Sequence, residues 1–143
     1  MRSSLRQIDV VTCFLIRQGQ LLLLLRSDQV GSQVGLWAGV SGYIEEDTPM
    51  EQAFLEIEQE TGLGPRDIHL LHRGKPLDAP DEENKRLWRV HPFLFEVEPD
   101  REIRLDWEHS DCRWVSPEEI GTMATVPLLA EAWERVAAGF KVT

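Results

Sequence analysis

The most constraining feature of this chain is a helix whose two ends are both written in the sequence. Thr48-Pro49-Met50-Glu51 has the form of a capping box, with Thr48 as N-cap, Pro49 at the first helical position and Glu51 three on from the cap. Met50, Ala53, Phe54 and Ile57 then recur at helical spacing and give an apolar stripe. Gly62 stands where a left-handed C-terminal residue is expected, with Leu63 beside it for the accompanying apolar contact. The pattern predicts a helix from about Pro49 to Thr61. A helix with one apolar stripe must bury it against another layer, and the flanking segments read as strands.

Asp9-Val10-Val11-Thr12-Cys13-Phe14-Leu15-Ile16-Arg17 is β-branched and apolar, Gln18-Gly19-Gln20 is turn material, and Leu21-Leu22-Leu23-Leu24-Leu25-Arg26 follows. Together they predict a β-hairpin. Residues 27–35 are polar and hold two glycines, so they form a loop, and residues 36–44 read as a Gly-interrupted strand or pair of short strands. Beyond the helix, residues 68–73 predict a strand, and residues 74–84, with two prolines and several acids, a loop. Residues 85–98 supply one long or two short strands, and residues 112–115 another. Ser116-Pro117-Glu118-Glu119 repeats the capping-box form, and residues 127–138 read as a closing amphipathic helix ended by Gly139. Strands, helix, strands, helix is the order of an α+β chain, an α/β/α sandwich with a mixed β-sheet, here as a single domain over residues 1–143.

At 143 residues the chain is long enough to bury a core without staples. Its longest apolar run, residues 21–25, is far short of the roughly 20 residues of a membrane span. Met1-Arg2-Ser3-Ser4-Leu5 lacks the apolar stretch of a secretory signal, so the expected location is the cytoplasm and no membrane partner is expected. Cys13 and Cys112 have no second cysteine at metal-ligand spacing and read as reduced thiols. A formal charge of −10 argues against a nucleic-acid polymer as partner, which needs a basic surface. An acidic protein still binds a phosphorylated small molecule when metal ions bridge the two.

Glu56, Gln59 and Glu60 stand at i, i+3 and i+4 and share one helix face. From spacing alone a solvated acidic face is the commoner explanation. The context points elsewhere, because a Gly-containing strand leads through a short acidic turn into this capped helix. Ser41-Gly42-Tyr43-Ile44-Glu45-Glu46-Asp47-Thr48-Pro49 and Glu56-Ile57-Glu58-Gln59-Glu60-Thr61-Gly62-Leu63 resemble the two halves of a Nudix box. That box is written Gly, five residues, Glu, seven residues, then Arg-Glu-apolar-x-Glu-Glu-x-Gly-apolar. Leu36-Trp37 ahead of it and Trp114-Val115-Ser116-Pro117-Glu118-Glu119 near the end extend the resemblance over nearly the whole chain. Among its members the chain looks most like modules found beside ribose-bisphosphate-isomerase-type domains.

The resemblance implies an α/β/α sandwich and a hydrolase that cleaves the pyrophosphate of a nucleoside diphosphate linked to another moiety. Magnesium, or manganese in its place, is the implied cofactor, with Glu60 a central ligand, Glu56 a ligand or support for the base, and Gln59 and Ser41 completing the set. A Glu in the loop before the late Trp-containing strand often acts on the attacking water; Glu108 sits in that place, with Asp106 and Asp111 as alternatives. The box is altered at several positions. Its arginine is Leu55, the first of its paired glutamates is Gln59, and its first-half glutamate is Asp47. Counting from Gly42 leaves the spacing to Asp47 one residue short, while counting from Ser41 keeps the spacing and loses the glycine. In the family that arginine pairs with the first-half glutamate and holds the loop on the helix, which Leu55 cannot do. The alternative expectation is therefore a nucleotide-binding or sensing module of the same fold with impaired catalysis.

The remaining candidates carry plainer readings. His109 has the chemistry of a proton-transfer group, but a lone loop histidine is more often incidental. His69, His72 and His91 lack metal-like spacing and are taken as structural, and Trp37 and Trp88 as packing residues. Arg26, Arg86 and Arg89 are cations able to meet a phosphate, and nothing in the sequence selects among them. A homodimer is the base-rate expectation for such a chain.

Overall fold

The computed structural model describes residues 4–140, so Met1, Arg2 and Ser3 of the N-terminal stretch lie outside the described residues. Eight strands form one mixed sheet with a helix against each face: β1 (Arg6–Arg17), β2 (Gln20–Arg26), β3 (Trp37–Ala38), β4 (Val40–Tyr43), α1 (Pro49–Thr61), β5 (Ile68–Arg73), β6 (Leu77–Asp81), β7 (Arg86–Val97), β8 (His109–Val115) and α2 (Leu129–Val136). β1 and β7 run parallel along 11 paired residues, from Arg6↔Arg86 to Ile16↔Glu96, and every other pairing is antiparallel. A strand buried on both faces needs apolar residues at consecutive positions, which explains the unbroken run of leucines in β2. Leu22 and Leu24 point with Val11, Cys13, Leu15, Phe93 and Phe95 toward Ala53 and Ile57 of α1. Leu21 and Leu23 point with Phe14, Ile16 and Leu94 toward Leu129, Ala132 and Val136 of α2.

The predicted helix has the predicted ends. The Thr48 hydroxyl accepts from the Glu51 N–H at 3.1 Å, and Gly62, at φ 78°, donates its N–H to the Glu58 carbonyl at 2.9 Å. Residues 36–44 are a pair of short strands split at Gly39, and residues 85–98 hold one long strand. Two expectations fail. The loop over residues 74–84 contains β6, paired to β7 from Leu77↔Val90 to Asp81↔Arg86. Its prolines hid it: Pro80 is tolerated because β6 lies at a sheet edge and pairs only with β7. The closing helix starts at Leu129 rather than residue 127, because Leu128 adopts φ 71° and breaks the helical run. Gly139 does not end it either. That residue sits in a 3-10 turn over Ala137–Phe140, packed so tightly on His72 that a Cβ would lie 2.3 Å from the histidine's Cβ.

The hairpin opens after two residue pairs, Ile16↔Leu21 and Arg17↔Gln20. Residues 37–43 fill the fork: β3 pairs with β2 through Leu24↔Ala38, then β4 crosses over to pair with β1 through Cys13↔Val40. Gly39 makes the crossing, where a Cβ would come within 3.1 Å of the Cys13 carbonyl. The fork sets Ser41 and Gly42 directly against the C-terminal half of α1.

Candidate active site

Residues Gln52, Glu56 and Glu60 succeed one another at i, i+4 and i+8, forming one ridge of α1 that faces the fork. Glu60 is 3% exposed and Glu56 half-buried. The fit to β4 is close: a Cβ on Gly42 would fall 2.3–2.4 Å from the Glu56 carboxyl atoms. Only glycine leaves room there. The backbone of Ser41 hydrogen-bonds Glu60. Ser41 thus meets the second glutamate of the ridge through its backbone, and Gly42 accommodates the first.

The opposite wall is the segment entering β8. Ser27 pins it, donating its N–H to the Glu108 carbonyl at 2.8 Å and its hydroxyl to the Trp107 carbonyl at 2.8 Å. This brings Asp106 and Glu108 toward the helix ridge. Asp111 is left out, exposed and bonded to the N–H of Cys112. His109 is the main correction to the sequence reading. It is the first residue of β8, 7% exposed, with Nδ1 2.8 Å from Asp106 and Nε2 3.6 Å from Glu60. Neither its burial nor its approach to Glu60 left a local trace in the sequence.

Glu60 and Asp106 flank the His109 imidazole, and Glu56 and Glu108 lie close enough to feel the charges of the same acidic group. Burial, then the charges of Glu108, Glu45 and Asp106, push the Glu56 pKa up from 4.5 to about 7, against a lowering hydrogen bond from Gln52. Burial and the neighbouring Glu56, Asp106 and Glu108 raise Glu60 well above the ordinary carboxylate range. Burial and Asp106 raise Glu108, while His109 and Arg26 pull it down. Cys13, a buried free thiol, lies beneath and is raised by burial and by the charges of Glu60 and Glu56. Glu56 Oε2 is buried with no hydrogen-bond partner among the described residues. A buried acceptor of this kind costs on the order of 1–3 kcal/mol unless something meets it.

That donor set consists of hard carboxylate oxygens, suited to magnesium or manganese rather than to a soft metal. Among the described residues no three His, Cys, Asp or Glu side chains converge as a finished ligand shell. Magnesium does not require one, since one or two carboxylates plus substrate oxygens suffice. The expected Gln59 is exposed and stands outside the buried group. Of the three candidate arginines, Arg89 is held by Asp78 and Arg86 lies over Trp88. Arg26 alone of these acts on the site, its guanidinium bonded to the Ser32 carbonyl and its charge felt by Glu108. His69 and His91 pair with Glu98 and Asp9, as structural residues do. Trp37 packs on the α2 face.

Leu55 makes no ionic tie to the acidic turn, and the residue that does bond the turn is one that sequence reasoning overlooked. Gln52 is 2% exposed, and its Oε1 accepts from the N–H groups of Glu45 at 2.8 Å and Glu46 at 3.0 Å. The available signal was its place on the ridge of Glu56 and Glu60. Leu55 is partly buried and Asp47 exposed.

A family model described as the NUDIX domain matches residues 6–137. No curated protein matches the chain in sequence. Among solved structures, the chain superposes on an Ap4A hydrolase from C. elegans in a binary complex with a TM-score of 0.74 at 15% identity, covering 93% of this chain and 97% of that one. The NUDIX domain of Shewanella oneidensis NrtR, complexed with ADP ribose, gives 0.73 at 14% identity over 99% and 91%. The E. coli ORF135 protein gives 0.69 at 26% identity over 97% and 96%.

Proposed function

The chain belongs to the Nudix family, and from that premise we propose that it is a pyrophosphohydrolase, dependent on magnesium or manganese, acting on a nucleoside diphosphate linked to another moiety. The observation that carries this reading is the buried carboxylate group with its unpartnered Glu56 Oε2. Such a group is unfavourable on its own and becomes favourable around a cation. Glu56, Glu60 and the backbone of Ser41 would hold the metal. When bound, the ion neutralises charge on the phosphate oxygens and acts as a Lewis acid.

The protein's own groups divide the rest of the work. Glu108, raised from the usual carboxylate range by burial and by Asp106, takes a proton from the attacking water onto its carboxylate. Water adds to phosphorus as the anhydride P–O bond breaks, and the departing phosphate carries away the bonding pair. His109, held by Asp106, lies against Glu60 and balances part of the negative charge when protonated. Arg26, at the rim, is the cation placed to meet a phosphate in an otherwise acidic protein. Purified protein incubated with magnesium or manganese and a panel of nucleotide sugars, dinucleotides and nucleoside triphosphates tests this. The expected result is release of a nucleotide product; absence of turnover above a Glu60→Gln control would sink the reading.

A sensing module of the same fold is favoured by one observation: Gln59, which stands for a carboxylate in the family box, is exposed and uncharged. That reading predicts stabilisation by a nucleotide ligand in thermal melts without metal dependence and without product.

A further inference from the structure

We propose that Gln52 is a positioning residue of this site, fixing the acidic turn with its carbonyl oxygen and aiming the Glu56 carboxylate with its amide group. The inference rests on the hydrolase reading above, but its structural half stands apart from it. A buried primary amide is unfavourable unless its hydrogen bonds are made. Here a single oxygen uses both lone pairs on consecutive backbone donors, Glu45 and Glu46. The turn over these residues is exposed and carries Glu45, Glu46 and Asp47 in succession, so mutual repulsion works against any fixed conformation. Gln52 is itself tethered by the helix, its N–H donated to the Thr48 carbonyl at 3.1 Å. The acidic turn is thus tied to the first turn of α1.

One helical turn on, Glu56 follows Gln52 on the same ridge, and the Gln52 side chain works against the rise of the Glu56 pKa. Gly42 limits the same carboxylate from the β4 side, where its atoms lie 2.3–2.4 Å from the place of a Cβ. Glu56 is therefore bounded by a strand backbone and an amide, with Oε2 left unpartnered. Residue type matters in this arrangement. A carboxamide provides an acceptor for the turn and a donor for Glu56 without adding charge. An arginine at this position would offer the turn no acceptor and would place a cation among carboxylates that need one from solution. Leu55 has surrendered the family's ionic clamp, and Gln52 supplies a neutral one at a different helical position.

Three variants separate the two roles. Gln52→Glu keeps an acceptor for Glu45 and Glu46 but removes the donor toward Glu56; Gln52→Met keeps the volume and removes both; Gln52→Ala removes both and leaves a void. Amide hydrogen exchange of the metal-free protein reads the turn. Glu45 and Glu46 are expected to stay protected in wild type and Gln52→Glu, and to exchange rapidly in the other two. Direct Mn2+ titration, followed by the electron-spin signal of free ion, is expected to weaken by about 10–100-fold in all three, the usual effect of losing a residue that orients a ligand. If turnover is found, kcat at limiting metal should fall by a similar factor while KM for substrate changes little.

Gln52→Glu binding Mn2+ as wild type does would overturn the positioning role, and protected amides in a folded Gln52→Met would overturn the clamp. If wild-type protein hydrolyses nothing, the activity reading fails alone, and exchange and Mn2+ binding still decide the role of Gln52. Thermal melts confirm that each variant is folded, and Gln52→Glu remains decisive if Gln52→Ala is not.

Discussion

Along β6, β7 and the neighbouring β1, and at the turn near residue 100, acids have bases: Asp78 binds Arg89 at 2.8 Å, Asp67 binds Arg101 at 2.6 Å, and Asp9 meets His91 at 2.9 Å. Where the α1 ridge meets the start of β8, Glu56, Glu60, Asp106 and Glu108 crowd together, and His109 contacts Glu60 and Asp106. Both regions are acidic, yet their carboxylates are driven in opposite directions. Arg89 lowers Asp78, and the Gly64 N–H and then Arg101 lower Asp67. Burial and like charge raise Glu56, Glu60 and Glu108. The first set is satisfied by the chain itself. The second is not, which is what the proposed cation site would require.

The largest expected break in this contrast is at the ridge. Glu56→Gln and Glu60→Gln should each lower kcat by about 10²–10⁴-fold, the scale of a weakened metal contribution of several kcal/mol, while raising the thermal stability of the metal-free protein. Steady-state kinetics and melts on the same samples check both halves. Loss of activity together with loss of metal-free stability would show that these acids are not in mutual conflict.

Gly42→Ala comes next. The added methyl must displace the Glu56 carboxyl, so the fold should survive while activity drops by about 10–100-fold, the scale of an ångström-level misplacement. A variant with wild-type turnover would mean that the close approach of Gly42 and Glu56 is irrelevant to the reaction.

Stability against pH sharpens the comparison further. The folded-state pKa of Glu56, about 7, exceeds its ordinary 4.5, so the folded state holds that proton more tightly than the unfolded one. Its contribution is fully favourable below about pH 4.5 and is lost as pH rises through 7. Asp67 and Asp78 work the other way, stabilising above their ordinary 3.8 and losing that effect as pH falls further. Metal-free protein should therefore gain on the order of 2 kcal/mol between pH 7.5 and 5, after allowance for partial solvent screening. Denaturant titrations in a chelator should show the gain shrinking in Glu56→Gln; a flat wild-type profile would count against the raised pKa.

The smallest effect is expected at the satisfied edge. Asp78→Asn loosens an exposed pair and should leave turnover and metal affinity unchanged, because surface ion pairs contribute little. A clear loss of activity would extend the site to the β6 edge.

Local patterns in the sequence were enough for α1, its caps and its glutamate ridge. Thr48, Pro49, Gly62 and Leu63 act on backbone groups a few residues away, so their meaning survives without tertiary context. The runs in β1 and β2 were equally legible. β6 was not, because a proline-bearing edge strand is defined by its partner, β7. His109 escaped for the same reason: its role depends on Glu60, 49 positions earlier, reached only after the fork places α1 beside the start of β8. Gln52 lay in plain view on the ridge, but an amide one helical turn before two glutamates is indistinguishable from solvated surface until the acidic turn folds over it. What the sequence alone determined was a capped helix bearing two glutamates and the Nudix frame around it. Which carboxylates are buried together, which acids find bases, and what replaces the arginine clamp were decided by tertiary structure, because burial and charge proximity are properties of elements brought together from distant parts of the chain.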